Sequence, residues 1–457
     1  MDTFRINEKD NVCVDLHSGH KIALRDISKG EDIIKYGFSI GIATENIKSG
    51  VRVHTENMKT KLNDILSYEY TPKFKELAPT PAFEIEAFVR KNGEIGIRND
   101  IWIVPTVGCV NSIGKALSEK TEAICFSHPY GCSQLGDDMK ITQLILKGLI
   151  KHPNAGGVLV LGLGCENNNI EEMRKVLGNF DEERIRFLSV QDVENELEEG
   201  VKILNELKGI VSHDKRKKVS VSQLKIGLKC GGSDGFSGIT ANAVVGKVTD
   251  KLCSMGATVI LTEVPEMFGA EQLLFERCIN EEVFKKGVSL INNFKEYFKN
   301  HGQPVSENPS PGNKEGGITT LEEKSLGCVQ KGGTAPVVDV LDYGEIITKT
   351  GLNLLNGPGN DIVSTTNLSA CGCHMILFTT GRGTPLGSAV PTIKIASNED
   401  LAKKKPHWID FNSYGFDTEE KAQELLELIK EIANGKEAKN EIYGCHEIAI
   451  FKDGVTL

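Results

Sequence analysis

The sequence contains no apolar run of the roughly 18 residues or more that a membrane helix needs. Its first residues, Met1 to Asn7, also lack the apolar stretch of a signal peptide, so we expect a cytoplasmic protein with no membrane contact. Basic residues are not in excess: 53 Lys and Arg face 63 Asp and Glu, and the formal net charge is −10. An acidic chain of this kind offers no electrostatic footprint for DNA or RNA.

Familiar cofactor signatures are missing as well. No dinucleotide fingerprint follows the first α/β strand, and no Gly-Lys-Ser/Thr phosphate loop occurs. The twelve cysteines include no Cys-x-x-Cys pair. In a cytoplasmic protein most of them should be reduced thiols.

The 457 residues are enough for two or three domains. Residues 1–68 contain short alternating runs, such as Asn11 to Leu16, separated by glycine turns, and this pattern predicts a small β-rich domain. The segment 69–84 holds three prolines and no clear period, which indicates a linker.

Beyond the linker, short apolar runs alternate with helical patterns. This alternation predicts βαβ units with parallel sheets, in a first α/β domain over 85–212 and a second over 213–457. We interpret 212–220 as a polar connector. The Gly-, Pro- and Lys-rich stretch 302–333 is predicted to be a long functional loop.

Unusual polar and thiol residues follow five of the predicted strands. In open parallel sheets, ligands bind beyond the carboxyl ends of the strands, so these loops predict one shared cleft; the alternative is ordinary turn chemistry. The loops cover residues 106–111, 128–134, 164–168, 229–235 and 263–271. Their four cysteines leave an iron–sulfur cluster open as an alternative, against which the absence of a tight Cys-rich run argues. Those cysteines are Cys109, Cys132, Cys165 and Cys230.

Three side-chain sets in this sequence are candidates for chemistry. His128 and Cys132, four residues apart, suit a soft metal or a thiolate beside an imidazole, but equally a structural role. The carboxylates of Glu263, Glu266 and Glu271 suit a cation or general-base work, or else favour a helix N-terminus, above all Glu271. His20 and His54 are candidate metal ligands, with solvated imidazoles as the alternative. Two Gly-rich loops, 231–235 and 381–385, could approach an anion closely.

Taken together, a series of longer motifs resembles the altronate/galactarate dehydratase family over essentially the whole chain. The motifs include Gly19-His20-Lys21-Ile22-Ala23-Leu24, Val51-Arg52-Val53-His54, Gly93 to Asn99, Ser127 to Asp138, Leu161 to Asn168, Cys230 to Asn242, Leu261 to Glu271, Asn308 to Lys314, Asn356 to Asp361 and Gly381 to Pro385. The resemblance implies an N-terminal β-clip domain of the SAF type followed by a two-part α/β body. It also implies a hydro-lyase that uses Fe(II) or Mn(II) to dehydrate D-altronate to 2-keto-3-deoxy-D-gluconate in hexuronate catabolism.

Dehydration of a 2,3-dihydroxy acid requires a base for the C2 proton, an acid for the departing C3 hydroxyl, and stabilisation of the charge on the carboxylate. We expect His20 and His54 to bind the metal and His128 to act as acid or base, with Cys132 and Glu263 as partners. The expected substrate-binding residues are Ser233, Asp234, Asn313, Lys314 and Arg382.

Alternatives remain for both the substrate and the class. They are another aldonate or aldarate such as galactarate, a sulfolactate-type sulfo-lyase reaction, an iron–sulfur hydro-lyase, and a non-catalytic subunit that binds a sugar acid. The expected partner is a small-molecule sugar acid, without nucleic acid or membrane, and the sequence leaves a homo-oligomer open.

Overall fold

The computed structural model describes residues 2–62, 67–305, 308–415 and 417–454. The N-terminal part is a small all-β domain of two antiparallel sheets, with strand orders β1-β2-β3-β6 and β4-β5-β7. Its strands are β1 (Thr3–Phe4), β2 (Val12–Asp15), β3 (Lys21–Ala23), β4 (Asp32–Lys35), β5 (Phe38–Ala43), β6 (Arg52–Val53) and β7 (Met58–Lys59). Residues 67–83 then form neither helix nor strand, as predicted for the linker.

The middle part begins with two strands, β8 (Glu84–Val89) and β9 (Ile95–Gly96), that belong to a small antiparallel sheet. A four-stranded parallel sheet of order β11-β10-β12-β13 follows, flanked by helices. Its elements are β10 (Asp100–Pro105), α1 (Asn111–Thr121), β11 (Ile124–Cys125), α2 (Gly136–Ile150), β12 (Ala155–Gly162), α3 (Ile170–Leu177), β13 (Ile185–Ser189) and α4 (Glu196–Val211). Strand β12 is buried along its whole length, which explains why its sequence is a continuous apolar run.

The C-terminal part is built on a seven-stranded parallel sheet of order β17-β18-β16-β15-β19-β20-β21. Strand β14 (Lys217–Ser220) precedes this sheet. The sheet strands are β15 (Lys225–Cys230), β16 (Thr258–Leu261), β17 (Val337–Leu341), β18 (Gly351–Leu355), β19 (Met375–Thr380), β20 (Thr392–Ala396) and β21 (Phe411–Asn412). The helices are α5 (Ala241–Ser254), α6 (Glu271–Phe275), α7 (Glu281–Asn300), α8 (Pro311–Glu315), α9 (Leu321–Cys328), α10 (Asp361–Ala370), α11 (Glu399–Lys404), α12 (Thr418–Ala433) and α13 (Lys439–Ile442).

A buried carboxylate, Glu323 on α9, is a central contact between the small β domain and the C-terminal part. Lys21 and Lys35 of the β domain each donate a hydrogen bond of 2.8 Å to this carboxylate. All three side chains are at most 2% exposed. Lys21 also donates to Gly317 O at 2.8 Å. The backbones meet directly nearby, because a Cβ on Gly235 would lie only 1.9 Å from Gly19 O.

The predicted α/β architecture is confirmed, and the parallel sheets match the predicted alternation. Two local predictions were wrong. The polar connector 212–220 contains β14, which pairs antiparallel with β8, and the long loop 302–333 contains α8 and α9. No helix among the described residues is long and apolar enough to cross a membrane.

Candidate active site

The carboxyl end of the central strand β15 places two reactive side chains in the protein interior. Lys229 is fully buried and Cys230 is 2% exposed. The chain then turns through Gly231, where a Cβ would lie 2.4 Å from the Phe378 ring on the adjacent strand. Only glycine fits this position without a shift, and the turn delivers Ser233 to within 2.7 Å of the Cys230 sulfur.

A carboxylate from the neighbouring strand pairs with Lys229. Glu263 follows β16 in a left-handed conformation, with φ of 72°, and its side chain is completely buried. It accepts from the Lys229 ammonium and, at 2.8 Å, from Cys230 N. Asp361, the first residue of α10, adds a second partner 2.9 Å from Lys229 Nζ. Lys229 on β15 therefore pairs with a buried carboxylate that follows β16 and with a partly exposed carboxylate at the start of α10.

The segment that covers these strand ends brings a second set of charges. Lys324 of α9 pairs with Glu266 at 2.9 Å, and Lys331 lies 3.8 Å from Glu263 and 4.0 Å from Glu266. At the end of α9, the Cys328 sulfur lies 3.8 Å from that of Cys230. Lysines, carboxylates and thiols thus alternate in a volume from which water is largely excluded.

This packing shifts several proton affinities. Burial and the Glu266 carboxylate raise the pKa of Glu263 to about 8, against the opposing effect of Lys229. Burial lowers the pKa of Lys229, but Glu263 and Asp361 outweigh it, and the pKa lies above the usual range of lysine. A hydrogen bond from Cys328 lowers the pKa of Cys230 to about 5 despite burial. Proton-transfer groups with displaced pKa values are typical of active sites.

Five predicted substrate-binding residues come together beside this cluster. Asn313 Nδ2 donates to Ser233 O at 2.9 Å, and Asp234 accepts from Ser397 and Asn398 at 2.8 Å each. The backbone of Arg382 donates to Gly232 O at 3.1 Å. The Arg382 side chain is exposed and pairs with Glu315 at 2.9 Å, next to the exposed Lys314.

The two predicted metal ligands also face each other. The rings of His20 and His54 stand edge to face with centroids 5.3 Å apart. Both Nδ1 atoms are buried and have no hydrogen-bond partner among the described residues. Burial, followed by Lys21, lowers the pKa of His54 to about 4, so this imidazole is neutral at pH 7. His20 adjoins the site, because Gly317 packs against its Cα and against Gly19.

These observations test how a divalent metal would fit. A neutral imidazole pair with free, buried nitrogens has the donor chemistry that Fe(II) and Mn(II) accept. A second set, formed by Cys230, Glu266 and Cys328, has ligand atoms within 4.8 Å of one another. Three lysines surround that second set, and their positive charge opposes a cation. The histidine pair is therefore the better match.

His128 and Cys132 lie on the other parallel sheet, in the loop after β11. His128 is 2% exposed, and both ring nitrogens are engaged, with Pro105 O at 2.8 Å and Tyr130 N at 3.2 Å. Cys132 is exposed. The five predicted loops thus lie at the edges of two sheets, and the roles predicted for these two residues stay predictions.

Several site residues escaped the sequence analysis. They are Lys229, Lys324, Cys328, Lys331 and Asp361. The position of Lys229 inside an apolar strand could have predicted a buried ion pair, since lysine is almost never fully buried without a partner. Glu271, by contrast, pairs with Lys295 at 2.9 Å at the start of α6, outside the cluster.

A small β domain seated on the strand ends of a parallel sheet, with lysines, thiols and carboxylates buried where they meet, defines a multidomain α/β enzyme acting on a small polar molecule. Comparison with known families is specific at each part of the chain. Residues 14–61 match the altronate/galactarate dehydratase SAF domain, 87–212 the second domain of D-galactarate dehydratase/altronate hydrolase, and 221–456 the C-terminal part of D-galactarate/altronate dehydratase. The chain belongs to the altronate/galactarate dehydratase family.

Curated relatives share nearly the whole sequence. Altronate dehydratases of Escherichia coli (strain K12) and Bacillus subtilis (strain 168) are each 51% identical to it, over 97% of this chain and 93% of the relative. The galactarate dehydratase (L-threo-forming) of Escherichia coli is 32% identical, over 95% of this chain and 89% of the relative. These matches confirm the predicted family and the predicted SAF-type domain.

Proposed function

We propose that this protein is a hydro-lyase that converts D-altronate to 2-keto-3-deoxy-D-gluconate and water in hexuronate catabolism. The observation that carries the proposal is the 51% identity to two altronate dehydratases over 97% of the chain. The buried Lys229–Glu263 cluster supports it, because dehydration needs groups that hold and move protons away from bulk water.

The reaction removes the C2 proton and the C3 hydroxyl, and the enol that forms tautomerises to the 2-keto acid. We assign proton transfer to Glu263 and Lys229, whose shared proton can move between the pair and the substrate. Ser233, Asp234 and Asn313 would position hydroxyl groups through the loop that they form. The exposed cations Lys314 and Arg382 would bind the substrate carboxylate at the rim.

His20 and His54 are proposed to hold Fe(II) or Mn(II). Bound there, the metal would act as a Lewis acid that stabilises negative charge on the substrate carboxylate. The imidazoles themselves hold it as neutral ligands, and the Gly19–Gly235 backbone contact fixes the β domain against the loop that carries Ser233 and Asp234.

The test of the reaction uses anaerobically purified protein supplied with Fe(II), Mn(II) or no metal. We expect metal-dependent formation of 2-keto-3-deoxygluconate from D-altronate. Galactarate and sulfolactate are assayed in parallel, since the family also includes the galactarate dehydratase at 32% identity. Turnover of either of these, without turnover of altronate, would refute the substrate assignment.

The test of the metal site compares His54→Ala with His17→Ala, a histidine of the same domain whose side chain is 75% exposed. Bound Mn(II) is measured by titration calorimetry as well as by activity. We expect His54→Ala to weaken Mn(II) binding by at least roughly 100-fold, because even the loss of a partner behind a metal ligand costs about 10–100-fold, while His17→Ala binds as the parent does. Equal Mn(II) affinity in both variants would remove His54 from the site.

A further inference from the structure

Three exposed thiols share one edge of the middle sheet. Of the twelve cysteines, Cys109, Cys132 and Cys165 are exposed and the other nine are buried or partly buried. Cysteine is among the most commonly buried residues. Three exposed thiols at one place therefore call for a reason beyond packing.

The topology explains how cysteines far apart in sequence reach the same edge. Cys109 follows β10, Cys132 follows β11 and Cys165 follows β12, and these are three adjacent parallel strands in the order β11-β10-β12. Their carboxyl ends open on the same side of the sheet, where ligands bind in folds of this type. A tight Cys-x-x-Cys run is not needed when neighbouring strands deliver one thiol each.

Hydrogen bonds tie the three loops to one another. Gly108 N donates to Tyr130 O at 2.9 Å, which joins the loops of Cys109 and Cys132. Asn168 N donates to Gly131 O at 3.0 Å, which joins the loops of Cys132 and Cys165. The packing is close, since a Cβ on Gly131 would lie 2.0 Å from Thr106 O. The thiols are thus carried on a pre-organised rim.

One donor to sulfur and one buried amide without a partner lie beside these loops. Gln191 Nε2 donates to Cys165 Sγ at 3.6 Å. Gln134, two residues after Cys132, is 4% exposed, and its Nε2 has no hydrogen-bond partner in the part of the chain that the structure describes. A buried amide donor without a partner is costly. Hydrogen bonds to sulfur such as the one from Gln191 adjust the potential of iron–sulfur clusters.

The three exposed thiols do not form a site for a single metal ion. Within the described ranges, only Cys230, Glu266 and Cys328 bring three ligand atoms to within 4.8 Å of one another, as a single ion requires. The sulfur atoms of Cys109, Cys132 and Cys165 do not all lie within that distance of one another. Thiolates are the ligands of iron–sulfur clusters, whose several irons bridge a wider gap.

We propose that Cys109, Cys132 and Cys165 bind a four-iron, four-sulfide cluster at the carboxyl edge of the middle sheet. Three thiolates leave one iron without a protein ligand, and that iron faces solvent, where an oxygen of a hydroxy acid can bind it. The site lies on a different sheet from Lys229 and Glu263, and it does not rest on the proposed function.

The experiment measures iron and acid-labile sulfide after anaerobic reconstitution of the full chain with Fe(III), sulfide and excess dithiothreitol, the thiol that reduces part of the iron so that the mixed Fe(II)/Fe(III) cluster can form. We expect about four of each per chain, with visible sulfur-to-iron charge-transfer absorbance. Cys109→Ser, Cys132→Ser and Cys165→Ser should each lose at least roughly nine tenths of both. Cys445→Ser, a partly buried cysteine in the C-terminal part, is the matched control and should retain them.

Thermal melting of the apo variants controls for folding, because exposed serines should leave it unchanged. Iron without sulfide, or no iron after reconstitution, would overturn the proposal. Cluster content equal in the three variants and the control would overturn it too. Stoichiometric Zn(II) binding that needs the same thiols and excludes iron and sulfide would replace the cluster with a mononuclear site.

Discussion

Replacing Glu323 by glutamine should release the small β domain from the body. The carboxylate is 1% exposed and accepts hydrogen bonds from Lys21 and Lys35. It also accepts from the backbone N and the side-chain hydroxyl of Thr319. Glutamine keeps the shape but leaves two buried ammonium groups without a counterion. Removing one partner of a buried ion pair costs about 3–5 kcal/mol, a large share of a typical domain stability of about 5–15 kcal/mol.

Hydrogen exchange followed by mass spectrometry measures this loss, because the two tryptophans, Trp102 and Trp408, lie outside the β domain and would not report on it. Peptides from residues 2–62 should exchange roughly 10²–10⁴-fold faster in Glu323→Gln, since about 1.4 kcal/mol changes an opening equilibrium tenfold. The control is Glu31→Gln, which removes an exposed pair with Arg25 expected to contribute about 0–1 kcal/mol.

Equal exchange in the two variants would refute the reasoning. A second variant sharpens it: adding Lys21→Met and Lys35→Met to Glu323→Gln removes the unpaired charges, and part of the protection should return. Failure of the triple variant to recover any protection would show that the loss came from packing rather than from charge.

Three further predictions follow from the site and the core. Glu263→Gln should lower kcat by about 10²–10⁴-fold with a smaller change in KM, as for loss of a general acid–base group; steady-state kinetics with unchanged circular dichroism would show it. Gly231→Ala should cost about 1–3 kcal/mol in urea denaturation, because its Cβ would overlap the Phe378 ring. Burial lowers the pKa of His152 to about 3. Folded protein therefore binds fewer protons than unfolded protein below pH 6.5, and stability should fall as pH drops from 6.5 toward 3, by up to about 1.4 kcal/mol per pH unit. His152→Gln should flatten that dependence.

Regular elements were predictable where periodicity and burial agree. The apolar runs of β12 and β16 and the pattern of α3 leave little choice of structure. Helix α4 starts at Glu196, because Asn195 caps it by accepting from Glu198 N at 3.2 Å. Strand β14 was not predicted because it pairs with β8, which precedes the whole parallel sheet of the middle part in the sequence.

The candidate site was predictable only in part, and the reason is physical. Ser233, Asp234 and Asn313 stood in loops whose polarity was visible in the sequence. The charged residues of α9, such as Glu323 and Lys324, resemble those of a solvated helix, and nothing local reveals that a second domain and a sheet edge enclose them. Burial of charge depends on partners distant in sequence, which periodicity does not report.

The enclosure of the cluster has a kinetic consequence. The cavity bounded by Lys35 and Tyr36 on one side and by Ser233 and Cys328 on the other has a volume of about 10 Å³, room for roughly one water molecule. Ligand pockets are usually about 300–1,000 Å³. A six-carbon acid therefore enters only if the seam opens, that is, the interface between the β domain and the C-terminal part. Admission of substrate and release of product then depend on how readily the β domain lifts. Turnover should slow in viscous solvent, and mutations that tighten the seam should stabilise the enzyme at the expense of speed.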